Sequence, residues 1–430
     1  MNLKPYQQVG RDFLAERKMA ALYDDMRLGK TRQFLMAAKQ VGCETIAVVA
    51  KATGVYEWEM QSQEAGFNPV ILKSKDSPIK GRFNIMSYNA LISKLHPKLM
   101  NMHFDLVGGD ETDQVKNHKA KRTTAFFGAR MDRAGGITGQ AERVWLMTGT
   151  PILNHPAELW PTIHALWPDA IETRNGRPMS YWQFVNRYCI TVENNYGTQI
   201  TGGKNLYELR DKLRGRMLRR TKVQVWSEWS APIIDVLPVD GNVTGIPSDE
   251  IEKVRQALLE KDVVSALASV AEQAATLRRL TGLAKVNGVL RWVDDNIDEM
   301  GKVILFAHHK EVIETLRNNL KHKYVMIIGG MSSEEKKAAY MAFQDDDSIK
   351  VFIGQNQAAR DSIPLWKAST AVSIEPDWTP GNNDQMMDRM SYIEKKEPCV
   401  GYFATLRGSI DDDIQRANLR KKNITHQLGL

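Results

Sequence analysis

Short apolar runs rich in β-branched residues recur along this chain with helical patterns between them, and this alternation constrains the fold more than any other feature. In the first half the runs are TIAVVA (45–50), RFNIMS (82–87), FDLVGG (104–109) and RVWLM (143–147). In the second half they are KVILFA (302–307), YVMII (324–328), IKVFI (349–353), TAVSI (370–374) and the run from Cys399 to Ala404. Strand runs separated by helices imply parallel sheets with crossover connections. With 430 residues the chain is also too long for one ordinary core. The expected fold is α/β, in two lobes.

Between the two sets the character changes. Residues 155–230 are rich in Trp, Tyr and Arg without strand periodicity. Ile251, Val254, Leu258, Val264, Leu267, Val270, Ala274 and Leu277 then follow at helical spacing. The middle third is therefore expected to be mostly helical, as an insertion over 155–225 and a protrusion over 250–285. The stretch VDGNVTGIPSDE (239–250) is the best linker candidate, because it is turn-rich and ends where Ser248 and Asp249 can cap a helix. These features divide the chain into a first lobe over 1–230 and a second over 231–430. Trp145, Trp160, Trp167, Trp182, Trp226 and Trp229 are expected to be core and interface anchors.

The formal charge of +7 favours a polyanionic partner such as nucleic acid. Cys43, Cys189 and Cys399 lie far apart with no CxxC pair, which argues against a zinc module or disulfide framework and suits a reducing cytoplasm. No apolar stretch has the length of a signal core or a membrane span.

Three chemical elements stand in order at strand ends. Gly29-Lys30-Thr31 follows the apolar MAALY and precedes the helical pattern TRQFLMAAKQV. In that setting a helix N-terminus offers free amides to phosphate, the lysine neutralises β and γ oxygens, and the threonine hydroxyl can hold Mg²⁺. The loop DDMRLGKT (24–31) nevertheless has Asp24 where a phosphate loop usually opens on glycine, and Arg27 in its middle. Asp110-Glu111 directly follows FDLVGG, where one acid can support Mg²⁺ and the other orient water for attack on the γ-phosphoryl group. Thr148-Gly149-Thr150 follows the next strand and can sense the phosphate state.

Taken together these segments resemble the Swi/Snf branch of the superfamily-two helicase-like ATPases, over roughly residues 3 to 415. LKPYQ (3–7) is similar to the family's opening motif, DDMRLGKT to DEMGLGKT, DETDQVKN (110–117) to DEAHxIKN, MTGTPILN (147–154) to LTGTPxxN, and MLRRTKVQV (217–225) to the LRRTK segment. In the second half, EPDWTPGNNDQMMDRM (375–390) is similar to DPxWNPxxExQAxDRxxR, and YFATLRGSIDDDI (402–414) to the closing motif. The resemblance implies two RecA-like P-loop lobes sharing one site for ATP and Mg²⁺. It further implies that Gln7 reads adenine, that Met26, Arg27, Leu28, Gly29, Lys30 and Thr31 hold nucleotide, that Thr31 and Asp110 serve the metal, that Glu111 positions water, and that Gln385 and Arg389 reach the γ-phosphate from the second lobe. The implied partner is DNA, duplex or branched, gripped by its backbone without sequence preference, at Lys51, Thr53, Ser87, Tyr88, Gly329, Gly330 and Arg360.

Two departures from the family pattern stand out: Tyr392 replaces its last arginine, and AARDSIPL (358–365) replaces a glycine-rich segment. The expected activity is that of an ATP-dependent DNA translocase in the cytoplasm of a bacterium or phage-infected host. A strand-separating helicase, an RNA-dependent ATPase and a degenerate DNA-binding scaffold are the alternatives. The cluster Arg214, Arg216, Arg219, Arg220 and Lys222 reads equally as a phosphate site or as a brace for acids of the inter-lobe helices. His308-His309 reads as two ordinary loop imidazoles.

Overall fold

A computed structural model describes residues 2–73, 81–152, 154–194, 197–226, 232–241, 248–259, 270–356, 365–377, 380–391, 395, 397–407, 409–412 and 414. The chain divides into two compact units, Met1–Val225 and Trp226–Asn423.

The first unit is built on a seven-stranded, wholly parallel sheet. Its strands are β1 (Met19–Leu22), β2 (Ile46–Ala50), β3 (Pro69–Leu72), β4 (Phe83–Ser87), β5 (Phe104–Asp110), β6 (Ala141–Met147) and, after the insertion, β9 (Met217–Leu218), in the order β3-β4-β2-β5-β6-β1-β9. Helices cover both faces, so alternate residues of one strand enter different cores. Ala47 and Val49 pack with Val107, Phe126 and Leu146, whereas Ile46 and Val48 pack with Phe34, Trp58 and Trp145. This is why TIAVVA carries no polar residue on either face after Thr45.

The insertion departs from the helical expectation. Within it β7 (Cys189–Asn194) and β8 (Gly197–Gly203) form an antiparallel hairpin, and β9 pairs with β1 in the main sheet. The β-branched run Ile190-Thr191-Val192 carries the hairpin; with Ile190 and Val192 exposed it is not one of the long apolar runs that mark the strands buried on both faces. Trp182 also differs from expectation, since it is 52% exposed rather than an anchor. Trp229 lies outside the described residues.

The second unit has a six-stranded parallel sheet in the order β10-β15-β14-β11-β13-β12, comprising β10 (Ile233–Val239), β11 (Val303–Ala307), β12 (Tyr324–Ile327), β13 (Val351–Gln355), β14 (Thr370–Ser373) and β15 (Val400–Leu406). β10 shows that the sheet recruits residues ahead of the expected linker, of which 242–247 lie outside the described residues. A single helix, Ala271–Met300, runs well beyond the expected protrusion. Lys285 from this helix is 1% exposed and donates to both Asp411 oxygens at 3.0 Å and to the Ala404 carbonyl at 3.1 Å.

Candidate active site

Register brings the three motif loops of the first unit side by side. Leu22 of β1 pairs with Met147 of β6, and Met147 pairs with Asp110 of β5, so adjacent parallel strands end together. Loops beyond the carboxyl ends of parallel strands are where an open α/β sheet binds ligands.

The phosphate loop lies between β1 and the helix α2 (Lys30–Gln40). Arg27 (φ 65°) and Gly29 (φ 72°) are both left-handed, a conformation that costs roughly 1–2 kcal/mol for a residue with a Cβ. A Cβ on Gly29 would also lie 2.4 Å from Gln7 Nε2. Gln7, on the helix α1 (Pro5–Ala15), is latched to this loop: its Nε2 donates to the Leu28 carbonyl at 3.2 Å and its Oε1 accepts from the Lys4 amide at 3.0 Å. The N-cap of α2 is Gly29, which has no side chain to cap the first turn, and Lys30 Nζ donates to the carbonyls of Asp24 (2.9 Å) and Asp25 (3.2 Å).

Asp24, at the position of the missing glycine, is an internal anchor. It is fully buried and pairs with Arg220 at two points, Nε to Oδ1 at 3.0 Å and Nη2 to Oδ2 at 2.5 Å. Arg220 Nη2 also donates to Gln33 Oε1 at 2.8 Å, and Gln33 Nε2 returns a bond to Asp24 Oδ2 at 3.2 Å. Asp25 is held by Arg219 Nη2 at 2.9 Å and by the Lys222 amide at 3.0 Å. The basic cluster is thus a brace, but Arg219 and Arg220 brace the phosphate loop rather than acids of helices between the lobes. Arg216 pairs with Asp169 and Arg214 with Asp211.

The two acids differ in setting. Asp110 Oδ2 accepts the Trp58 indole N–H at 2.8 Å and Oδ1 accepts the Glu111 amide at 3.0 Å. Burial, reinforced by the Glu111 charge, pushes the Asp110 carboxyl up to about 7, against the opposing influence of the Trp58 bond and Lys30. Glu111 is left-handed at φ 50°, and its Oε2 accepts from the Thr148 hydroxyl at 3.2 Å, which ties the acid pair to the TGT loop. An ammonium, helix N-terminal amides, the Thr31 hydroxyl and the half-buried Asp110 carboxyl form a donor and acceptor set that fits a magnesium nucleotide, since Mg²⁺ commonly takes one or two protein oxygens together with phosphate oxygens and water.

The expected DNA-contact residues of this unit have varied environments. Thr53 is exposed, and Lys51 is half-buried with its ammonium 3.6 Å from Asp113 Oδ1. Ser87 caps a short helix by accepting from the Ala90 amide at 3.0 Å. Tyr88 is 3% exposed, and its hydroxyl donates to the Asp110 carbonyl at 2.9 Å. Its ring is therefore a core support for the acid motif, not an outward contact. Neither Trp58 nor Gln33 was anticipated as a site residue. The sequence signal for Gln33 was an uncharged polar residue on the buried side of an otherwise apolar helix face.

In the second unit Gln385 and Arg389 are both buried, on the turn-rich helical segment after β14. Gly329 and Gly330 are exposed after β12, with the Gly329 amide donating to Gln355 Oε1 at 2.7 Å. Arg360 and Tyr392 lie outside the described residues. His309 is not an ordinary loop imidazole, because its Nδ1 lies 2.5 Å from Oε1 of the buried Glu375, whose Oε2 accepts the amides of His308 and His309. Burial and the Arg278 charge push His308 down to about 4.

Residues 6–235 match the SNF2-related domain, and residues 284–391 match the helicase conserved C-terminal domain. The SWI/SNF-related matrix-associated actin-dependent regulator of chromatin subfamily A-like protein 1 of Drosophila melanogaster is 27% identical over all of this chain and 56% of its own length. The DNA annealing helicase and endonuclease ZRANB3 of Mus musculus is 25% identical over 98% of this chain and 40% of its own length. The chain thus spans about half the length of the curated relatives it matches. Among solved structures, the Sulfolobus solfataricus SWI2/SNF2 ATPase core in complex with dsDNA aligns over 99% of this chain and 93% of its own, at 18% identity and a TM-score of 0.46. With the SNF2-related domain model covering more than half of its residues, the chain belongs to the SNF2-related family of helicase-like ATPases.

Proposed function

We propose that this chain is an ATP-driven DNA translocase that hydrolyses ATP with Mg²⁺ to move along or remodel double-stranded or branched DNA. The observation that carries this reading is the shared strand register at Leu22, Met147 and Asp110, which sets the phosphate loop, the acid pair and the TGT loop beside one another.

In this reading Lys30 neutralises the β and γ oxygens, Thr31 and Asp110 hold Mg²⁺, Gln7 reads adenine, and Met26, Arg27, Leu28 and Gly29 shape the nucleotide loop. Magnesium draws charge from the phosphoryl group when bound. Glu111, oriented by Thr148, positions the attacking water. Gln385 and Arg389 are proposed to add polar and positive groups at the transition state, where a lost arginine costs on the order of 10³-fold or more in rate. Lys51, Thr53, Ser87, Gly329, Gly330 and Arg360 are proposed to hold the DNA backbone, which requires charge and amides rather than base-reading groups. The three cysteines, all buried and unpaired, are compatible with a reducing compartment. Among the described residues no helix is long and apolar enough to cross a membrane.

The test is ATP hydrolysis measured alone and with duplex DNA, single-stranded DNA or RNA, with Lys30→Ala as control. Stimulation by duplex or branched DNA, lost in Lys30→Ala, is the expected result. Preferential stimulation by RNA would favour an RNA-dependent ATPase, and absence of hydrolysis under every condition would leave a DNA-binding scaffold.

A further inference from the structure

We propose that Trp58 is a positioning residue that relays DNA contact at the loop after β2 to the Asp110 carboxylate. The inference rests on the translocase reading and adds to it the route by which DNA accelerates hydrolysis.

The relay is a continuous set of bonds. The Lys51 carbonyl accepts the Gly54 amide at 2.9 Å, and the Gly54 carbonyl accepts the Trp58 amide at 3.0 Å, so loop 51–54 is bonded directly to the first turn of the helix α3 (Val55–Glu64). The Trp58 side chain is 2% exposed, and its indole N–H ends on Asp110 Oδ2 at 2.8 Å. Its ring meets Phe34 edge to face, with centroids 5.3 Å apart. Phe34 lies on α2, the helix that begins at Lys30. One side chain therefore touches the acid motif and the phosphate-loop helix while its backbone is tied to the candidate DNA loop.

At the input end the ion pair is loose. Lys51 Nζ lies 3.6 Å from Asp113 Oδ1, beyond hydrogen-bond distance, and that oxygen has no hydrogen-bond partner among the described residues. An ammonium held only by charge, on a side chain 23% exposed, can exchange its carboxylate for a DNA phosphate. The exchange displaces loop 51–54, α3 carries the displacement to the indole, and the indole resets the oxygen that it holds.

The experiment compares wild type with Trp58→Phe, which keeps an aromatic ring against Phe34 and removes the N–H donor. Two quantities are read: the ratio of ATP hydrolysis rates with and without duplex DNA, and the affinity for a fluorescent ADP analogue with Mg²⁺ in the presence and absence of the same duplex. The stimulation ratio should fall by about tenfold, the factor carried by one hydrogen bond to a charged group. The tightening of nucleotide binding by DNA should shrink as well, because the same contact would couple the two sites in binding. If both rates fall by one common factor, or the ratio is unchanged, Trp58 is only a structural support and the relay is wrong. A wild type unstimulated by any DNA would overturn the translocase reading itself and the relay with it. If Trp58→Phe does not fold, Asp113→Asn releases Lys51 without touching the indole. That variant should hydrolyse ATP faster than wild type without DNA and show a smaller ratio; no rise in the DNA-free rate would overturn the relay.

Discussion

Arg220 and Asp24 form a two-point ion pair between residues 196 apart in sequence, at 3.0 and 2.5 Å, with the carboxylate fully buried. A buried charge stripped of its partner is strongly unfavourable. Arg220→Ala is therefore expected to lower the stability of the first unit by roughly 3–5 kcal/mol in urea unfolding and to weaken nucleotide binding. Arg220→Lys should fall between, since it keeps the charge but loses the fork. A loss below about 1 kcal/mol in Arg220→Ala would mean that Asp24 is compensated by other groups.

Gly10 offers a test in which helix propensity and packing disagree. It lies in α1, where alanine would ordinarily gain up to about 1 kcal/mol. A Cβ there would lie 1.7 Å from Gln33 Oε1 and 2.7 Å from Arg220 Nη2, displacing both groups that hold Asp24. Gly10→Ala should lower the melting temperature and raise the KM for ATP. A melting temperature at or above wild type would show that the network yields without cost.

The fold and site were legible in the sequence to different degrees, for physical reasons. Strands buried on both faces advertise themselves by composition, and TIAVVA and KVILFA contain β2 and β11. The two-residue β9 and the partly exposed hairpin have no such signature, because backbone pairing with a distant strand holds the first and local pairing the second. The positions of Lys30, Asp110 and Glu111 near the ends of strands were readable because each lies close behind an apolar run. The partners of these residues were not readable: Trp58 looks like any core indole, and the choice of Arg220 for Asp24 is fixed only by the tertiary pairing of β9 with β1.

Asp110 should make the stability of the nucleotide-free protein depend on pH. Its carboxyl is raised by burial to about 7 from an ordinary 3.8, so the folded chain binds this proton more tightly than the unfolded chain. The stability contributed by the protonated form is full below the unfolded value and is lost as pH rises through about 7. Asp110→Asn lacks this titration, so its melting temperature relative to wild type should climb between about pH 5 and about pH 8. A constant difference over that range would place the Asp110 pKa near its ordinary value.

In the second unit, Lys285 and Asp411 make a second buried pair, with side chains 1% and 5% exposed. Lys285→Ala should destabilise that unit by about 3–5 kcal/mol, read as an earlier unfolding transition. Lys285→Met in combination with Asp411→Leu should recover much of the loss, because apolar replacement of both partners leaves no uncompensated charge.

The brace on the phosphate loop also bears on how the protein is made. Asp24 leaves the ribosome early, yet Arg220 follows it by 196 residues. At 5–20 residues per second the interval is roughly 10–40 s, during which the nascent chain carries a nucleotide loop whose buried acid has no counter-charge. Nascent chains halted before residue 217 should remain protease-sensitive around residues 24–31 even with nucleotide present, and those extended far enough for residue 225 to clear the ribosome should not. The segment that ends the first unit thus sets the moment in synthesis at which its beginning becomes a binding site.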